Sequence, residues 1–141
     1  MSAPVNIRLF VYGSLRSGFH SPVYDYIRRY FDFIGEGRVK GKIFDMGDYA
    51  AAVPCEEEAY IIGELYQAKN AGEFPYAIGQ LDDYEGIGGE PGEPELFRRD
   101  LTDVFLSDAV IQSWIYWFNG DVSGKSSIAS GDMLEYKRTR Q

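Results

Sequence analysis

Phe74, Ile78 and Leu81 recur at helical spacing, and Glu85 continues the same series. On a helix these four side chains lie along one stripe, and its three apolar members turn that stripe towards the interior. The pattern predicts that Glu85 points inward with them. Glu85 also stands in the last turn before Gly86, a candidate C-cap, where the helix macrodipole disfavours negative charge by about 0.3–1 kcal/mol. A carboxylate on a buried stripe, at the helix end that repels it, is a candidate general acid or base. The alternative is a stripe that ends at Leu81, with Glu85 bending out to solvent.

A second constellation is Tyr12-Gly13-Ser14-Leu15, placed where the apolar run Ile7–Tyr12 ends. Gly13 permits unusual dihedrals and lets a ligand approach the main chain. Successive N–H groups in such a turn form a small concavity suited to a carboxylate or a polarised carbonyl oxygen, and Ser14 adds a hydroxyl donor. A strand followed by Gly-Ser is equally the signature of a plain turn.

Composition narrows the chemistry. The chain has 22 acidic and 14 basic residues, a formal net charge of -8, which argues against nucleic acid as a partner. The short basic run Lys137-Arg138-Thr139-Arg140 reads as a solvated end. One cysteine, Cys55, and one histidine, His20, exclude an internal disulfide, a cysteine-cluster metal site and paired-histidine zinc motifs. Cys55 precedes Glu56-Glu57-Glu58, whose charge disfavours a thiolate, so it is not read as a nucleophile. Acid–base work therefore falls to carboxylates, tyrosines or lysines. A metal held by Asp82, Asp83 and Glu85 is disfavoured, because Asp82 and Asp83 diverge by about 100° on a helix. No Gly-rich loop has phosphate-binding spacing. No stretch is apolar and long enough to span a membrane, and the N-terminus has no signal-peptide core, so the expected compartment is the cytoplasm and no membrane partner is expected.

The elements that must position these residues follow from periodicity. Ile7–Tyr12 reads as a strand. Ser21-Pro22 opens a helix, with Val23, Ile27, Tyr30 and Ile34 on one face and Gly35 closing it. Strands are expected from Arg38 to Met46 and from Ala59 to Ala68, with Gly63 marking a bulge or a close backbone approach. Between them lie the turn Gly47-Asp48 and a small-residue segment, Tyr49–Pro54. A helix beginning near Pro75 carries Glu85, and Gly88–Glu95 reads as an exposed loop. Phe97–Leu106 and Ala109–Phe118 form a hairpin through Ser107-Asp108. The run Ile111–Phe118 is bulky on both alternating faces, as in a sheet covered on both sides or closed into a barrel. The expectation is an α+β fold: one domain over residues 1–141, a compact mixed β-barrel flanked by helices, with 134–141 a flexible tail.

Val11-Tyr12-Gly13-Ser14-Leu15, the stretch Leu81–Gly86, and Gly41-Lys42-Ile43-Phe44-Asp45 leading to Gly47-Asp48-Tyr49 together resemble the γ-glutamylcyclotransferase-like family, of the small γ-glutamylamine cyclotransferase type. Trp114-Ile115-Tyr116-Trp117 and Ser130-Gly131-Asp132 extend the resemblance over nearly the whole chain. It implies a β-barrel with flanking helices and a cyclisation that needs no cofactor or metal. In that reaction the α-amine of a γ-glutamyl amine or γ-glutamyl amino acid attacks its own side-chain carbonyl, giving 5-oxoproline and a free amine. It further implies that Tyr12, Gly13, Ser14 and Leu15 hold the γ-glutamyl group with backbone groups, and that Glu85 is the acid/base. Tyr116 or Tyr84 would line the pocket. Two positions depart from the family pattern: Phe97, where tyrosine is frequent before the arginine pair Arg98-Arg99, and Met133, where tryptophan is common.

Two other readings stand beside this one. The same pocket could bind a small ligand without turnover, or Trp114, Tyr116 and Trp117 could form an exposed patch on an interaction protein. The acidic loop Glu90–Glu95 reads either as a lid that attracts a cationic leaving group or as a solvated surface loop.

Overall fold

Strand β6 (Val110–Phe118) is apolar on both faces because the two faces meet different parts of one core. Ile115 and Trp117 point into one cluster, Tyr116 and Phe118 into the other. A computed structural model of the chain describes residues 6–12, 22–47, 50–84, 97–133 and 135–136. Within them the elements run β1 (Arg8–Val11), α1 (Pro22–Tyr30), β2 (Phe31–Asp45), β3 (Ala50–Pro54), β4 (Tyr60–Ala68), α2 (Phe74–Tyr84), β5 (Phe97–Phe105), β6 and the two-residue β7 (Ser126–Ser127). A single 3-10 turn at Ala71–Glu73 leads into α2, capped by the Asn70 side chain, which accepts from the Gly72 N–H at 2.8 Å.

Five strands close into a barrel in the order β2-β4-β1-β6-β5, and β5 returns to β2 at the pair Arg38 and Phe105. Its one parallel pair is β1 with β6, where Leu9 stands beside Trp114. The interior takes a side chain from every barrel strand: Phe10, Val39, Ile61, Leu65, Val104 and Ile115 all have no exposed surface. The second cluster lies outside the barrel, beneath the helices. There Ile27 of α1 and Phe74, Ala77, Ile78 and Leu81 of α2 cover Leu9, Val11, Tyr66, Tyr116 and Phe118. Tyr26 ties the helices together by donating to the Ala77 carbonyl at 3.5 Å. Burial, then the neighbouring Tyr30 and Tyr76, pushes its phenol up to about 12, so it remains a neutral donor at physiological pH.

The barrel, the hairpin and the apolar stripe of α2 match the sequence reading. Ser107 and Asp108 form the hairpin turn, closed by a bond from the Leu106 N–H to the Ala109 carbonyl at 2.8 Å. Two elements differ. The first helix ends at Tyr30, not beyond Ile34, because Phe31, Asp32 and Phe33 pair with Ala68, Gln67 and Tyr66 of β4. A bulge between Phe33 and Gly35 leaves Ile34 exposed rather than on a buried helical face. The segment after Gly47 contains a strand, β3, whose alanines pair with Ile43, Phe44 and Asp45; small side chains had hidden its periodicity. Ser21 lies outside the described residues. In the stretch read as a tail, Tyr136 donates to Asp45 Oδ2 at 2.8 Å and packs against the barrel cluster.

Gly63 marks a close approach: a Cβ there would collide with the Val11 carbonyl oxygen and lie 2.5 Å from the Phe10 ring. Gly79, inside α2, has open space where its Cβ would stand. Gly63→Ala is expected to cost about 1–3 kcal/mol through overpacking. Gly79→Ala is expected to add about 0.5–1 kcal/mol by removing a helix-interior glycine. Urea denaturation of the two variants checks both signs.

Candidate active site

The site is built where α2 ends above the β5–β6 hairpin. Turning the apolar stripe of α2 inward places Asp82, next to Leu81 in sequence, along its flank, facing the hairpin. Asp82 accepts three hydrogen bonds: Arg99 Nε to Oδ1 at 2.8 Å, Arg99 Nη2 to Oδ2 at 3.0 Å, and the Tyr116 hydroxyl to Oδ1 at 2.8 Å. The guanidinium therefore meets the carboxylate in a two-pronged fork, the strongest geometry for this pair. Both side chains are largely shielded from water, Asp82 at 17% exposure and Arg99 at 23%. The other side of Arg99 lies over the Trp114 ring, 4.5 Å from its centroid, and the Trp114 indole donates to the Asn6 carbonyl at 2.9 Å.

Register explains why these groups meet. Arg99 of β5 stands directly opposite Tyr116 of β6, so both project from one face. The parallel pairing of Leu9 with Trp114 carries the same row to Val11 on β1, and Val11 faces Glu64 on β4. The row Glu64, Val11, Tyr116, Arg99 thus crosses four strands on the helix-covered face, at the end where β1 runs into Tyr12. Glu64 is buried, with 5% exposure, and accepts from the Tyr66 hydroxyl at 2.9 Å.

Tyr12 takes the opposite face. Its ring is buried in the barrel cluster and its hydroxyl donates to the main-chain carbonyl of Tyr116. Tyr12 therefore pins the exit of β1 to β6, and any contact it makes on the helix-covered face falls to its backbone. Tyr116 is the joint between the two halves: its carbonyl accepts from Tyr12 and its hydroxyl donates to Asp82.

Of the site residues read from the sequence, Tyr12 and Tyr116 are brought together in this way. Gly13, Ser14, Leu15 and Glu85 lie outside the described residues, as does the acidic loop Glu90–Glu95. Tyr84 is 54% exposed at the end of α2. Asp82, read as part of a solvated face, is instead the acceptor for Arg99 and Tyr116. Among the described residues no group of three or more His, Cys, Asp and Glu side chains could hold a metal ion. Trp117 and Tyr116 are buried and Trp114 is half-buried, so the run 114–117 does not form an exposed patch. Phe97 is buried edge-on against Phe118, 5.5 Å between centroids, and Met133 is buried in the barrel cluster.

Sequence reasoning missed Asp82, Arg99 and Glu64. A signal existed for the last: in β4, Glu64 shares its parity with Tyr66 and Ala68, so the face that buries those residues must bury the carboxylate too.

Comparison with known proteins adds the following. The family model for gamma-glutamyl cyclotransferase, AIG2-like, matches residues 9–136. The chain is 30% identical over 136 residues to the protein MJ1514 of Methanocaldococcus jannaschii, covering 92% of this chain and 97% of that one. It is 28% identical over 130 residues to YtfP of Escherichia coli, a gamma-glutamylcyclotransferase family protein, with the same coverage of both chains. The crystal structure of YkqA from Bacillus subtilis superposes with a TM-score of 0.72 at 26% identity, over 96% of this chain and 42% of that longer one. The solution structure of YtfP gives a TM-score of 0.61 at 27% identity, covering 92% of this chain and 98% of that one.

Asp82→Ala removes three acceptor bonds and leaves the guanidinium of Arg99 without its fork. It is expected to destabilise the fold by about 2–3 kcal/mol, and Tyr116→Phe by about 1 kcal/mol. Urea midpoints measure both. Amide hydrogen exchange in the last turn of α2 should accelerate more in Asp82→Ala than in Tyr116→Phe.

Proposed function

Because the chain belongs to the gamma-glutamyl cyclotransferase, AIG2-like family, we propose that it converts a γ-glutamyl amine or γ-glutamyl amino acid to 5-oxoproline and a free amine. The substrate's α-amine attacks its own γ-carbonyl, the bond to the leaving nitrogen breaks, and Glu85 carries the proton from the attacking nitrogen to the departing one. Backbone groups of Tyr12, Gly13, Ser14 and Leu15 hold the γ-glutamyl moiety, and Tyr116 lines the pocket. The observation that supports this reading best is the double engagement of Tyr116. One residue fastens the strand that leads into Gly13 and the helix that leads into Glu85.

The chemistry suits such a frame. An α-ammonium titrates near 8 and an ordinary glutamate near 4.3, so proton transfer between them is uphill by roughly 3.5 units, or about 5 kcal/mol. Desolvation raises a carboxylate's pKa and narrows that gap. The nucleophile already belongs to the substrate, so the protein has only to hold it folded against its own carbonyl. A chain with one histidine and one cysteine has the groups this requires.

Incubation with a panel of γ-glutamyl compounds, followed by assay of 5-oxoproline, tests the proposal. Wild type should release product, and Glu85→Gln should lower kcat by about 10²–10⁴, the usual contribution of a general acid or base. Equal rates for the two proteins would remove Glu85 from the mechanism. Saturable binding with no product from wild type would favour a binding module instead.

A further inference from the structure

Among the described residues Glu64 is the one charged side chain that is buried. Burying an ionised carboxylate costs several kcal/mol unless partners or a cation meet it. Its neighbours on the same face are mostly apolar: Val11 stands directly across on β1, and Ala68 lies further along β4. The Tyr66 hydroxyl, 2.9 Å from Oε1, fixes the carboxylate's orientation. On the other side Glu36 of β2 pairs with Glu64, so a second negative charge borders the same row. Opposed like charges on paired strands are unfavourable, and a bound cation relieves that.

We infer that Glu64 receives the α-ammonium of the γ-glutamyl substrate, a role that rests on the cyclotransferase reading. Strands lie about 4.8 Å apart, so Glu64 and Tyr116, two strands apart across Val11, are separated by roughly 10 Å of backbone. The α-nitrogen and γ-carbonyl carbon of a γ-glutamyl group are about 5 Å apart when extended and about 3 Å when folded for attack. An ammonium–carboxylate contact adds about 2.8 Å. With the ammonium on Glu64, the γ-carbonyl therefore falls over Val11, beside Tyr116 and Asp82. Glu64 selects the charged ground state that dominates at neutral pH, and its part is binding rather than proton transfer.

The test uses two compounds that differ only in the α-ammonium: γ-glutamyl methylamide and the methylamide of glutaric acid, which lacks the amine. Glu64→Gln should raise KM for the first at least about tenfold and leave the inhibition constant of the second within about twofold. Tyr66→Phe, which keeps the charge and removes only the orienting hydroxyl, should raise KM severalfold with the same selectivity. Equal weakening of both ligands, or no change in either, overturns the inference while leaving the cyclotransferase reading intact. Absence of product from wild type sinks that reading instead. Calorimetric binding of the same two compounds then still decides the role of Glu64: wild type must prefer the amine-bearing compound and Glu64→Gln must lose that preference, or the inference fails.

Discussion

The fork between Arg99 and Asp82 holds the end of a helix to the edge of a barrel, and the geometry of the site follows from it. Apolar packing fixes which stripe of α2 faces the sheet, but it is tolerant of sliding and rotation by a fraction of a turn. A bidentate ion pair is not tolerant, because both N–H···O bonds must align at once. The two partners are shielded enough that water does not dissolve the pair, while the Trp114 ring supports the guanidinium from behind. Tyr116 shares the same carboxylate, so the helix, β5 and β6 are locked through one group.

The pleat of the sheet divides labour between neighbours in the chain. Along β6, Ile115 and Trp117 fill the barrel while Tyr116 faces the helix layer. Along β1, Phe10 and Tyr12 face inward while Leu9 and Val11 face outward. The same strands that close the barrel thus build the floor of the site. Glu64 shows the consequence for polar groups: its place on β4 obliges the helix-covered face to accept a carboxylate.

Much of this was legible in the residues. The doubled hydrophobicity of Ile111–Phe118 announced a strand covered on both sides, and Phe74, Ile78 and Leu81 announced the buried face of α2. Two features were illegible for physical reasons. The end of α1 depends on Phe31–Phe33 finding partners in β4, some thirty-five residues later, and pairing energy of that kind leaves no local trace. The Asp82–Arg99 pair depends on a helix flank and a strand face meeting in space, whereas the sequence shows only two acids in one place and two arginines in another. Charged residues at the boundary of a buried stripe read as solvated until the neighbour across the gap is known. Of the site itself, Tyr12 and Tyr116 could be named in advance; what fastens them together could not.

The central position of β1 between β4 and β6 has a consequence for how the protein comes into being. The row beneath α2 draws on residue 11 at one extreme and residue 116 at the other, so nearly the entire polypeptide must be synthesised before the floor exists. Pairings this distant are slow to form because the intervening chain loses its freedom before the contact rewards it. The ligand-binding surface is therefore a late product of folding, acquired together with global order, and a nascent fragment that stops short of β6 lacks the parallel partner on which β1 closes the barrel.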